Sequence, residues 1–234
     1  SRLLRTKLVL LQGEYGRAHR RLWDHPRFPE LIPPLFVQTH QLIRASVPLM
    51  EAARARAVEL SASDPAAAAL DAYLGQHIRE ERDHDEWLLA DLELLGLPRD
   101  EVLERIPPPR VAEAVGAQYY WLRHDHPVAL LGYVAVLEGY PPTEEMVDEM
   151  ATRSGLPRDA FRTFHKHAHL DPHHRDDLDR ALDDMPLTPR QQSLIGVSAL
   201  TTMRQLTGLL DDLVDEAEGA VAGRPAERVA SDVR

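Results

Sequence analysis

The chain has 234 residues, 44% hydrophobic and only 6% aromatic, with no cysteine and 27 basic against 38 acidic residues, a formal net charge of −11. That length can bury a sizeable core, and the lack of cysteine excludes disulfides, iron–sulfur clusters, thiolate-ligated haem and a cysteine nucleophile. Acidic balance with scattered basic residues speaks against a nucleic-acid partner, and no apolar run reaches the length of a membrane span.

The abundance of Ala, Leu, Arg, Glu and Asp favours helix over strand. Leu3 to Trp23 reads as a first helix. Pro33-Pro34 opens a second that runs to Leu60. Ser63-Asp64-Pro65 has the form of a cap followed by proline at the first helical position, and the third helix then runs unbroken to Leu95 and stops at Gly96. Leu97 to Pro109 is a connector with a short helix in it. Arg110 to Tyr140 is helical with a break at His126-Pro127, Thr143 to Ser154 is short and amphipathic, and Asp159 to Met185 carries a histidine cluster. Thr188-Pro189 caps a last long helix ending near Gly223. The expectation is an all-α, single-domain bundle of about seven helices over residues 1–222, with a disordered polar tail at 223–234. The cytoplasm is the default location, although a chain beginning at Ser1 leaves a removed leader open.

Three places along these helices carry residues suited to chemistry. In the third helix, at about 100° per residue, His77 at 0° puts Glu81 near +40° and His84 near −20°. Glu81 and His84 therefore share the face that also carries Leu74 and Leu88. A carboxylate followed three residues later by histidine is the pattern of carboxylate-bridged di-iron bundles, and a solvated charged face is the ordinary alternative. Glu138 closes the apolar run Val128–Leu137. A helix so apolar is buried, and an ionised carboxylate at its end needs a partner, a metal or an exit to water.

The histidine cluster, from Phe164 to His174, sorts into two faces if helical: His167, Asp171 and His174 fall near about 0°, +40° and −20°, with His165, His169 and His173 opposite. An incidental surface tract, or Asp171-Pro172 as the cap of a new helix, would explain it as well. Taken together, three helices supply three carboxylates and three histidines. That set suits two ions of the iron or manganese type with positions left for dioxygen. Magnesium or calcium would want more oxygen ligands, and a closed zinc site only four groups.

With Glu81-x-x-His84, the lone Glu138 and His167-x3-Asp171-x2-His174 in that order, the chain resembles the haem-oxygenase-like di-iron oxidases. The resemblance implies a seven-helix fold holding two irons, with no haem. It implies activation of dioxygen on a small-molecule substrate, by N-oxygenation, desaturation or carbon–carbon cleavage. On that basis His84, His167 and His174 are terminal ligands, and Glu81, Glu138 and Asp171 include the bridging groups. The expected reaction is N-oxygenation of a small amine- or carboxylate-containing metabolite, supported by an electron donor of unknown identity. Neither nucleic acid nor membrane is expected as a partner, and a homodimer is left open.

The sequence departs from the family where some members carry an acid near Ser46 or Val47, since Glu51 lies more than a turn away. It departs again at His77, where some members carry an acid. His77 and Glu80 are thus candidates for supporting or alternative ligands, Glu80 in place of Glu81. Tyr119, Tyr120, Trp121 and Arg123 could line a pocket, although an aromatic stripe is more often core. Proline at 172 should weaken the segment bearing Asp171 and His174. Two other readings stay open: a haem-binding protein of the same fold using His19 or His25, and a non-catalytic helical interaction protein.

Overall fold

The computed structural model describes residues 1–222, so the expected tail at 223–234 lies outside the described residues. Within them the chain forms ten α-helices and no strand: α1 (Arg2–Trp23), α2 (Phe28–Leu60), α3 (Pro65–Glu80), α4 (His84–Leu94), α5 (Arg99–Glu104), α6 (Pro109–His124), α7 (Leu130–Leu137), α8 (Glu144–Ser154), α9 (Arg162–Asp184) and α10 (Pro189–Ala222). Short 3₁₀ turns at Pro127–Ala129 and Arg158–Phe161 lead into α7 and α9. The seven expected stretches are all present. Two of them are split, and the connector contributes α5.

One split matters for the site. The third stretch is not continuous: α3 ends at Glu80 and α4 begins at His84, with Asp83 between them at φ 68°. Aspartate is one of the few residues that visits the left-handed region without a large penalty. The other split is the expected one. The helix after Pro109 stops at His124 and resumes beyond His126-Pro127, where His126 Nδ1 caps the backbone N–H of Val128 at 3.2 Å.

The second helix starts at Phe28, not at Pro33-Pro34, and keeps Pro33, Pro34 and Pro48 inside it. Burial of Phe28, Leu31, Ile32, Phe36 and Val37 along this stretch outweighs the local cost of the prolines. At the start of α3, Asp64 accepts from the N–H groups of Ala66 and Ala67 at 2.8 and 3.2 Å. Its second oxygen holds His126 at 3.0 Å and Gln191 at 2.9 Å. One capping carboxylate therefore ties α3 to the turn before α7 and to the first turn of α10.

α10 packs along α1, α6 and α7, while α2 packs against α3, α4 and α6. The main core gathers Leu49, Leu70, Leu74, Leu130, Leu131, Tyr133 and Met203, all at most 2% exposed. At Gly132 the backbones of α7 and α10 touch: a Cβ there would overlap Ile195 O and lie 2.7 Å from Ala199 N. No helix among the described residues is long and apolar enough to cross a membrane.

Candidate metal centre

Four helix ends or faces bring the polar side chains together inside this apolar bundle. The last turn of α3 supplies His77 and, at its C-cap, Glu81. His84 is the first residue of α4, Glu138 the C-cap of α7, and α9 presents His167, Asp171 and His174. His77, His84, Asp171 and His174 are each at most 5% exposed and Glu81 9%. The αL residue Asp83 turns the chain so that His84 Nδ1 lies 3.1 Å from Glu81 Oε2. The predicted proximity of Glu81 and His84 is therefore present, but a tight turn brings it about and not a shared helix face.

The donor atoms fall into two groups. One atom from each of His77, Glu81, Glu138 and His174 lies within 4.8 Å of the others, and the same holds for Glu81, His84 and His167. Glu81 belongs to both. Its Oε1 lies 3.1 Å from His174 Nδ1 while its Oε2 faces His84, so the two oxygens point into different groups. The imidazoles pair across them, with ring centres 5.1 Å apart for His77 and His174 and 5.0 Å for His84 and His167.

These atoms are arranged around shared space more than around each other. His77 Nε2 donates to Glu138 Oε1 at 2.8 Å. The two 3.1 Å contacts of Glu81 are close but not aligned as hydrogen bonds, and Glu81 Oε1, His84 Nδ1, His174 Nδ1, Glu138 Oε2 and Asp171 Oδ1 are all buried without a hydrogen-bond partner. Leaving one such group unpaired costs about 1–3 kcal/mol, so five in one pocket call for something that satisfies them together. A cation does so. His167 is set for the role: its Nδ1 donates to Thr163 O at 2.8 Å, and because a carbonyl only accepts, Nε2 is left as the free lone pair in the neutral ring.

The charges respond to this crowding. Burial opposes the ionisation of Glu81, but His174, His84 and His77 around it hold the carboxyl well below the usual range. Burial would lower His77, yet the Glu138 carboxylate in contact with it raises it to about 9. Asp171 is pushed up to about 8 by burial and then by the negative charges of Glu138 and Glu81. Burial depresses His167. A cation placed among these carboxylates would offset their mutual repulsion and replace the proton on Asp171.

A cavity of about 180 Å³ adjoins the groups, with Glu81, Glu138, His167 and Asp171 on one side and mainly apolar residues on the other, among them Leu42, Ile43, Leu137 and Phe164. α2 faces it with Thr39 and Ser46. The absence of an acid at Ser46 and Val47 is thus real at the cavity wall, where Ser46 Oγ turns back onto Leu42 O at 3.3 Å.

Residues 49–205 match the sequence profile of the iron-containing redox enzymes. The chain belongs to this family. The matched region contains every residue of both donor groups. The likeness to solved structures shows the haem-oxygenase-like fold. A domain of unknown function with that fold from Shewanella denitrificans superposes with a TM-score of 0.70 at 18% identity, covering 93% of this chain and 95% of its own. A TenA homologue from Pseudomonas syringae gives 0.65 at 12%, over 89% and 93% of the two chains. A CADD-like protein of unknown function from Nostoc punctiforme gives 0.62 at 15%, over 88% and 99%. Comparison with curated proteins finds no match.

Among this family's candidate ligands in the chain, the placement differs from the sequence reading at three points. His77, taken as a supporting or alternative ligand, sits inside the first group. Glu80, the proposed substitute for Glu81, faces outward: its side chain is 34% exposed, accepts from Gln76 Nε2 at 2.8 Å and belongs to neither group. Asp171 lines the cavity beside Glu81 and Glu138 but lies outside both groups. α9 runs unbroken through Pro172, so Asp171-Pro172 is not a cap. The histidines sort as expected, with His165 and His169 on the far face paired to Asp148 at 3.3 Å and Glu144 at 2.6 Å.

The aromatic stripe of α6 does not line the cavity. Tyr119 and Tyr120 are exposed, Arg123 points outward and Trp121 packs on the core. The wall comes instead from α2, at the helical spacing of Thr39, Leu42, Ile43 and Ser46, a face readable only once the packing of α2 against α4 is known. His19 and His25 lie elsewhere: His19 Nδ1 donates to Tyr15 O at 3.0 Å on the outside of α1, and His25 Nδ1 accepts from Arg27 N–H at 3.1 Å. Neither borders the cavity.

Proposed function

We propose that this iron-containing redox enzyme is a di-iron, dioxygen-activating oxidoreductase of a small metabolite, with N-oxygenation as its reaction. The observation that carries the reading is the sharing of Glu81 between two donor groups, each with two histidines. A single mononuclear centre needs only one of them. His77, Glu138 and His174 would hold one iron and His84 and His167 the other, with Glu81 between the two and Asp171 at the cavity rim. Bound there, iron would supply one-electron redox chemistry and a place for dioxygen to bind.

The rest of the chemistry belongs to the chain. The two oxygens of Glu81 fix the separation of the two groups. Thr163 holds His167 in the tautomer with Nε2 free. Asp171, pushed up to about 8, holds a proton at neutral pH, and a bound cation would displace it, so that binding would release protons. Leu42, Ile43, Leu137 and Phe164 exclude water from the reacting side and accept the apolar part of a small substrate. Its amine would face the carboxylates. The haem-binding alternative is weakened, because neither of its candidate histidines borders the cavity.

The test is dioxygen uptake by ferrous-loaded protein presented with short aliphatic amines and with the matching carboxylic acids. The reading expects amine-dependent uptake and a product gaining oxygen at nitrogen. Product oxygenated only at carbon, or an alkene product, would reassign the reaction while leaving the metal centre in place.

A further inference from the structure

One aromatic ring meets the second donor group from outside the cavity. Trp87, one turn after His84 on α4, lies with its ring centre 4.1 Å from that of His84 at 32° between planes, and 6.5 Å from that of His167. The exposed Lys166, next to His167 on α9, sets its ammonium 3.5 Å from the centre of the same indole. Trp87 does not border the cavity and is partly exposed. The indole thus bridges a candidate ligand imidazole and a surface cation. Glu86, its neighbour in the chain, is held by Arg99 at 2.6 and 2.7 Å, away from the Lys166 contact with the ring.

Two requirements meet at this point. Iron held by the donor groups would have to be reduced by an electron from outside, and electron tunnelling falls steeply with every gap between conjugated groups. A ring in van der Waals contact with the imidazole of His84 shortens that gap to one step. Simple space-filling would explain the ring but not the cation placed on its face, where a lysine contributes to binding and steering of negative charge.

We propose that Trp87 is the point of electron entry to the centre, and that Lys166 selects a one-electron donor with negative charge at its contact face. The proposal rests on the iron reading above. In the step, one electron leaves the donor, crosses the indole and the His84 imidazole, and reduces a ferric ion to ferrous. The donor is oxidised by one electron, and no bond or proton changes at Trp87.

The test mixes ferric-loaded protein without oxygen against two small reductants of opposite charge, dithionite (acting as the sulfur dioxide radical anion) and the methyl viologen radical cation. The loss of ferric absorbance is followed, with iron content measured beforehand. Trp87→Leu is expected to slow both reductions severalfold at parental iron content. Lys166→Glu is expected to slow the anion and quicken the cation, with the contrast shrinking as salt is added. Parental rates in Trp87→Leu would overturn the proposal. An unchanged anion-to-cation ratio in Lys166→Glu, an exposed position that does not threaten folding, would overturn it whatever Trp87→Leu does. A parent chain that binds no iron would sink the iron reading and this proposal together, and the iron assay identifies that case before any rate is read.

Discussion

Glu81 is the residue on which both donor groups depend, because one of its oxygens faces His84 and the other His174. Removing it should affect both sites, while removing a histidine should affect one. Glu81→Ala is expected to lose nearly all bound iron, and His84→Ala and His77→Ala each to fall to about one ion per chain, since an ion that loses one of its few protein ligands is held much less tightly. Iron assay at matched helical circular dichroism reads this. Full iron content in His77→Ala would return that residue to a supporting role. Helical spacing in the sequence grouped Glu81 with His84 and His167 with Asp171 and His174, the apolar run before Glu138 singled it out, and the family resemblance joined them into one candidate set. The sequence left Glu80 open as a substitute for Glu81, because adjacent residues differ by about 100° only while the helix continues, and here the helix ends at Glu80.

The same residues set a pH dependence. His77 is raised to about 9 by Glu138, and Asp171 to about 8 by burial and its neighbouring carboxylates. Both groups bind more protons folded than unfolded, so each contributes stability at lower pH that is lost as pH rises through the folded value. The iron-free protein should therefore lose thermal stability between pH 7 and 9. Iron affinity should climb over the same window, because bound metal takes the place of those protons. Thermal melts with and without ferrous iron at each pH check it, and a gap between the two melts that stays constant with pH would contradict it.

At the scale of the element, the site depends on a helix that stops and one that does not. The break between α3 and α4 rests on the single left-handed residue Asp83. Periodicity carries no signal for it, since the apolar spacing continues through Leu74, Ile78 and Leu88 as though the helix were whole. α9, by contrast, continues from Arg162 to Asp184 with Pro172 inside it. An interior proline removes one backbone hydrogen bond and crowds the preceding turn, at a cost of about 3 kcal/mol. In the iron-free protein, amides of residues 165–180 should accordingly exchange faster than those of α3 and slow on loading, as the ligands of α9 are tied to α3 and α7. Protection equal to that of α3 before iron is added would show the segment already fixed.

For the molecule as a whole, the all-helical class was legible because helix formers dominate and the caps are explicit, as at Asp64 and Thr188. The close approach of α7 and α10 at Gly132 was not, since a glycine in an apolar run gives no hint of what passes beside it. Gly132→Ala would push the Cβ into Ile195 O and Ala199 N. A loss of about 1–3 kcal/mol is expected from overpacking, and more if α7 cannot shift. Urea unfolding measures it. Because α7 ends in Glu138, the same variant should also weaken iron binding, and intact stability would mean that the two helices separate freely.

The central claim is that this bundle holds two irons across one shared carboxylate. An anaerobic titration with ferrous ion, followed by metal analysis of the desalted protein, tests it most directly. The account predicts saturation at close to two irons per chain with no haem absorbance. Saturation at a single ion, or no retained iron, would contradict it.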